Sequence, residues 1–218
     1  MRKLLTKKEA LFVLDQLKLL HPNPVCELVH DTPFELLVST ILSAQCTDQR
    51  VNQVTAEIYP RYNQPQQFAE MAQEELEELI RPCGFFRNKA ANIRAAALAI
   101  VEDYGGLVPE TIEELMALPG VGKKTANVVA SNAFGVPAIA VDTHVFRLSN
   151  RIGFVAEKTV EKTEAALERK IPRERWTESH HLLIHHGRYI CQARRPQCER
   201  CTIREHCRYF NKVGQWAP

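Results

Sequence analysis

Leu118-Pro119-Gly120-Val121-Gly122-Lys123-Lys124-Thr125-Ala126-Asn127 sets two glycines between two helical patterns. Thr111 to Leu118 reads as a short helix, broken by Pro119 and Gly120. A second helix begins near Lys123 and runs to Phe134, closed by Gly135. Each glycine permits a positive φ and lets another backbone come close. The second helix turns its N–H groups and the positive end of its dipole toward the turn, where a phosphate oxygen fits without any side chain.

Two rival readings are weaker. A phosphate-binding Walker loop needs Gly five residues before Gly122 and Ser or Thr after Lys123, but those positions hold Ala117 and Lys124. An ordinary turn between helices has no use for Pro-Gly-x-Gly followed at once by two lysines. The pattern fits a helix–hairpin–helix, gripping a DNA backbone independently of base sequence through Gly120, Val121, Gly122 and Lys123.

Outward from the hairpin the periodicity stays helical. Thr32-Pro33-Phe34-Glu35 is a capping box with proline at the first position, opening a helix to Leu42. Further helices are expected after Thr47, over Glu74–Ile80, from Arg87 to Tyr104 before Gly105-Gly106, and over Val141–Ile152, Val160–Ile171 and Trp176–Tyr189. Leu11, Leu14, Leu17 and Leu20 recur at helical spacing, so the N-terminus reads as an amphipathic helix and not a signal peptide. With no Asn-Gly hairpin and no sustained alternation, the expected fold class is all-α.

At 218 residues and 45% hydrophobic, the chain can bury a sizeable core. No apolar run is long enough to span a bilayer. The net charge of +2 hides an asymmetry: 11 Lys and Arg face 17 Asp and Glu up to Pro119, but 17 face 9 from Gly120 onward. A basic half in a near-neutral chain suggests one face for a polyanion, although the acidic helix at Glu74–Glu78 contributes to the skew.

Four of the seven cysteines crowd into Cys191-x6-Cys198-x2-Cys201-x5-Cys207. Without a secretory signal, metal or cluster ligation is favoured over disulfides. Structural zinc more often uses two close pairs, and only Cys198 and Cys201 form one. The spacing leans toward a 4Fe–4S cluster, with zinc as the alternative. Arg194, Arg195, Arg200, Arg204 and Arg208 interleave, either offsetting an anionic cluster or facing phosphates. Cys26, Cys46 and Cys83 read as small buried hydrophobes.

LSAQCTD, LPGVGKKTANVV, VDTHVFRLSNR and the terminal cysteines, in this order, resemble bacterial endonuclease III over roughly Leu11 to Cys207. The resemblance implies two helical domains flanking a DNA-binding cleft. A six-helix barrel with the hairpin would span residues 26–136; an iron–sulfur domain would be built from 1–25 and 137–218. It also implies a 4Fe–4S cluster, one per chain, on Cys191, Cys198, Cys201 and Cys207. The implied activity is removal of oxidised pyrimidines, such as thymine glycol, followed by β-elimination at the abasic site. The implied partner is double-stranded DNA carrying damaged pyrimidines or abasic sites, with no membrane, for a monomer in the bacterial cytoplasm.

Residue by residue, Lys124 matches the family's catalytic lysine. Base removal coupled to strand cleavage needs an amine that forms a Schiff base with C1′. The helix N-terminus, Lys123 and burial in a cleft would each disfavour its ammonium. Lys123 is then the phosphate contact. Asp142 matches the essential aspartate and also reads as the cap of the following helix. A base in a duplex must be flipped out, and the hole filled. Gln45 matches the plug residue. Phe85 stands where the family usually carries leucine, so it is either an aromatic wedge or a core residue. Ser43, Asp48 and His144 match positions lining the base pocket, and Arg194 and Arg195 are candidate phosphate contacts. An adenine-mismatch glycosylase lacks lysine at the Lys124 position and carries a further C-terminal domain, for which little chain remains after Cys207. A non-catalytic DNA-binding protein with a redox-sensing cluster would need neither Lys124 nor Asp142.

Overall fold

The structure, a computed structural model, describes residues 3–213 and is all-α, with no strand among the described residues. Residues 1–2 and 214–218 of the expected terminal domain lie outside the described residues. No helix among them is long and apolar enough to cross a membrane. The chain divides into two compact units: Cys26–Val136, and the segments on either side of it, which come together as one.

The first helix, α1 (Lys7–Leu20), belongs to the unit made from both ends. A capping box opens it: the Glu9 N–H donates to Thr6 Oγ1 at 3.2 Å, and the Thr6 N–H to the Glu9 carboxylate at 2.8 Å. Its inward stripe is Ala10, Val13, Leu14 and Leu17, with Leu11 and Leu20 half-buried at the margin.

In the unit Cys26–Val136, α2 (Pro33–Leu42) is buried from Phe34 to Leu42. Its capping box on Thr32 and Glu35 is the expected one. Around it lie α3 (Asp48–Ile58), α4 (Pro65–Glu70), α5 (Gln73–Ile80), α6 (Phe86–Tyr104), α7 (Ile112–Ala117) and α8 (Lys123–Ala133). Helix α4 is absent from the expected set, because six residues are too few to show a helical stripe. It nevertheless buries Phe68 edge-on to Phe34, with centroids 5.2 Å apart.

In the other unit, α9 (Thr143–Leu148) is shorter than the expected Val141–Ile152. Asp142 caps it, which leaves Val141 outside, and beyond Leu148 the backbone widens into a π turn over Ser149–Gly153. That turn ends at Gly153, whose φ of +103° favours glycine and where a Cβ would come within 3.0 Å of the Arg208 Cβ. Helices α10 (Val160–Lys170), α11 (Trp176–Tyr189) and α12 (Arg208–Val213) complete the unit. Its core joins Leu5, Val13, Leu14 and Leu17 to Val145, Leu148, Phe154, Leu167, Leu182 and Leu183.

Candidate functional site

The hairpin between α7 and α8 is anchored by buried Leu118 and Val121, with the Val121 N–H donating to the Leu118 carbonyl at 3.1 Å. The two glycines differ. Gly120 has φ +73°, and a Cβ there would fall 2.5 Å from the Asn92 Cβ on α6, so no side chain is admissible. Gly122 has φ −87° and ψ 171°, extended backbone that any residue adopts, so of two glycines that each permit a positive φ only Gly120 uses it. A Cβ on Gly122 would meet nothing within 4 Å, so this glycine leaves an open approach to the α8 N-terminus.

Lys123 and Lys124 occupy the first turn of α8 and are exposed. Lys124 is therefore not buried, where the expected cleft position would have it so.

Gln45 and Phe85 are the two non-glycine residues with positive φ among the described residues, at +54° and +46°. Left-handed backbone costs a side-chain-bearing residue of order 1 kcal/mol and persists only where the surroundings impose it. Phe85 is 64% exposed and Gln45 is exposed, so Phe85 is not a core phenylalanine. Beneath them lies a feature not anticipated from sequence. Lys89 of α6 is 5% exposed, and its Nζ donates to the Leu42 carbonyl at 2.8 Å and to the Cys83 carbonyl at 2.9 Å. A lysine in an alanine-rich helix reads as solvated, so only its tertiary placement distinguishes it.

Ser43 caps the end of α2, its hydroxyl donating to the Thr40 carbonyl at 2.8 Å, and Asp48 is the half-buried first residue of α3. These two share the unit of Lys124, Gln45 and Phe85.

Asp142 and His144 lie in the other unit. One Asp142 carboxylate oxygen accepts from the Val145 N–H at 2.8 Å, so the residue is an N-cap and remains half-buried. His144 packs on Gly187, and burial holds its pKa below the ordinary histidine value despite the Asp142 carboxylate.

Cys191, Cys198, Cys201 and Cys207 line one small pocket with Ile152, His186, Ile190, Ile203 and Tyr209. Among the described residues, no three His, Cys, Asp or Glu side chains converge closely enough to hold a single metal ion. Burial raises the Cys198, Cys201 and Cys207 thiols, Cys201 to about 11. Two arginines outside the cysteine segment hold it. Arg147 Nη2 donates to the Gly187 and Cys191 carbonyls at 3.0 and 3.1 Å. Arg151 donates to the Gln192 and Ala193 carbonyls at 2.8 and 2.7 Å, with Nη1 3.7 Å from the Cys191 sulfur. Their i, i+4 spacing in VDTHVFRLSNR was the available signal. Arg194 and Arg195 are exposed.

A helical scaffold with a lysine-bearing hairpin and a cysteine-lined pocket defines a class. Residues 38–173 match the HhH-GPD superfamily of base excision DNA repair proteins. The chain is 50% identical to endonuclease III of Bacillus subtilis, covering 96% of each chain, and 45% identical to that of Escherichia coli K12, covering 96% of this chain and 99% of the relative. A solved non-covalent endonuclease III–DNA complex superposes with a TM-score of 0.92 at 48% identity, covering 97% of this chain and 99% of that one. A trapped endonuclease III–DNA covalent intermediate gives 0.91, also at 48%, with 96% and 99% covered. The chain belongs to the endonuclease III family, base-excision-repair enzymes that act on damaged DNA.

Proposed function

We propose that this enzyme removes oxidised pyrimidines from duplex DNA through a Schiff base on Lys124 and then nicks the abasic strand. The observation that carries the reading is an exposed lysine in the first turn of α8, beside the open backbone of Gly122. A covalent enzyme–DNA intermediate in a relative at 48% identity supports it.

The hairpin takes a phosphate on the α8 N-terminus and Lys123, which positions the strand. Gln45 and Phe85 enter the stack as the damaged nucleotide leaves it, and Ser43, Asp48 and His144 are the candidates to contact the extruded base. The Lys124 amine bonds to C1′ as the N-glycosidic bond breaks and the base departs with a proton from the amine; the C1′–O4′ bond then opens, O4′ takes a proton, and the C1′=N bond of the Schiff base forms. Loss of a C2′ proton expels the 3′ phosphate, and water releases the lysine. The Asp142 carboxylate stabilises positive charge developing on the sugar. The unit Cys26–Val136 is then the expected barrel, in which the short α4 adds a seventh helix to the six expected, and the unit built from both chain ends is the cluster domain.

The cysteine pocket fits a 4Fe–4S group. Four thiols line one cavity, the donor set that a cuboidal cluster takes. Cys191, Cys198, Cys201 and Cys207 would hold it, and when bound it staples a segment with little core of its own.

Borohydride reduction of the enzyme with abasic duplex should link wild type covalently and leave Lys124→Ala unlinked. Equal trapping of both proteins would reject Lys124 as the nucleophile.

A further inference from the structure

We infer that Lys89 is a positioning residue that sets the spacing of the two stack-entering loops; the inference rests on the proposed roles of Gln45 and Phe85. Its ammonium joins the Leu42 carbonyl, three residues before Gln45, to the Cys83 carbonyl, two before Phe85. The Lys89 backbone N–H also donates to the Phe85 carbonyl at 3.1 Å. One residue therefore bonds both sides, and both following turns are left-handed at non-glycine positions. Both acceptors close helical turns, whose carbonyls carry partial negative charge and suit an ammonium. The Cys46 and Cys83 side chains, one beside each turn, interact electrostatically with each other and with Lys89. Burial pushes the Cys83 thiol up to about 11 and lowers the Lys89 ammonium from its ordinary value, which its two carbonyl acceptors oppose. What the buried cation holds is the pair of carbonyls.

Neither loop need be destroyed when this bridge is lost. The left-handed turns relax, Gln45 and Phe85 no longer enter the stack together, and eviction of a paired base suffers more than chemistry at a sugar that has none. The test compares two substrates under single turnover: a duplex with a base-paired oxidised pyrimidine, and the same duplex with a preformed abasic site. Lys89→Met, which keeps length without donors, should lower base release at least about tenfold while nicking of the abasic site stays within about threefold. Lys89→Arg keeps the charge with displaced donors and should show the same split in milder form, which serves if the methionine variant does not fold. In a Gln45→Ala, Phe85→Ala background, replacing Lys89 should add no further loss on the paired lesion. Equal loss on both substrates, or an additive loss in that background, would overturn the inference. If wild type itself neither released the base nor trapped on abasic DNA, the proposed function would be what failed.

Discussion

Asp142 carries two duties that a pair of substitutions separates. As an N-cap it accepts the Val145 N–H, and as a carboxylate it is proposed to face a cationic sugar. Asp142→Asn keeps an acceptor for the cap and removes the charge, so the folded protein should be as stable as wild type while base release falls at least about a hundredfold. Asp142→Ala should add a loss of about 1 kcal/mol in denaturant unfolding. Unchanged release in the asparagine variant would leave the residue only a cap. The places of Lys124 in the first turn of one helix and of Asp142 as the cap of another were readable, because each sits in a contiguous motif whose local geometry is helical. Lys89, Arg147 and Arg151 were not, since their partners are carbonyls far away in sequence that only the folded chain brings close.

Among elements, the hairpin separates a glycine the fold demands from one it does not. Gly120→Ala meets Asn92 and a left-handed backbone, and should cost about 1–3 kcal/mol in unfolding experiments. Gly122→Ala has open space and ordinary torsions, so its stability cost should stay within about 1 kcal/mol while duplex affinity drops, measured by anisotropy. The reverse ranking of the two in stability would contradict the geometry. Capping boxes and glycine stops made most helices legible, α2 from its Thr32-Pro33-Phe34-Glu35 start and α6 from Gly105 at its end. Helices α4 and α12 escaped because a six-residue helix turns less than twice and leaves no periodicity to read, whereas the equally short α7 was marked by the Pro119-Gly120 break that follows it. The π turn at Ser149–Gly153 escaped because its residues continue the helical pattern of α9 without a break.

Over the whole molecule, the histidines of α11 tie stability to pH. Burial and the charges of His185 and Arg188 hold His181 near a pKa of about 4, and burial with His21 does the same for His186. An unfolded chain takes these protons near 6.5, before the folded one does. Stability should therefore fall as pH drops through 6.5 and level off below about 4, each histidine contributing at most about 1.4 kcal/mol per pH unit. Urea midpoints between pH 7 and 5 check this, and His181→Gln should flatten the slope; a midpoint that rises on acidification would refute it. Helix α1 and the segment after Pro137 share one core although the entire Cys26–Val136 unit separates them along the chain. During synthesis the apolar stripe of α1 emerges from the ribosome long before its partners exist. The middle of the protein can finish folding while the first helix waits, so a nascent chain halted near Val136 would hold a complete inserted unit and an N-terminal helix open to chaperones.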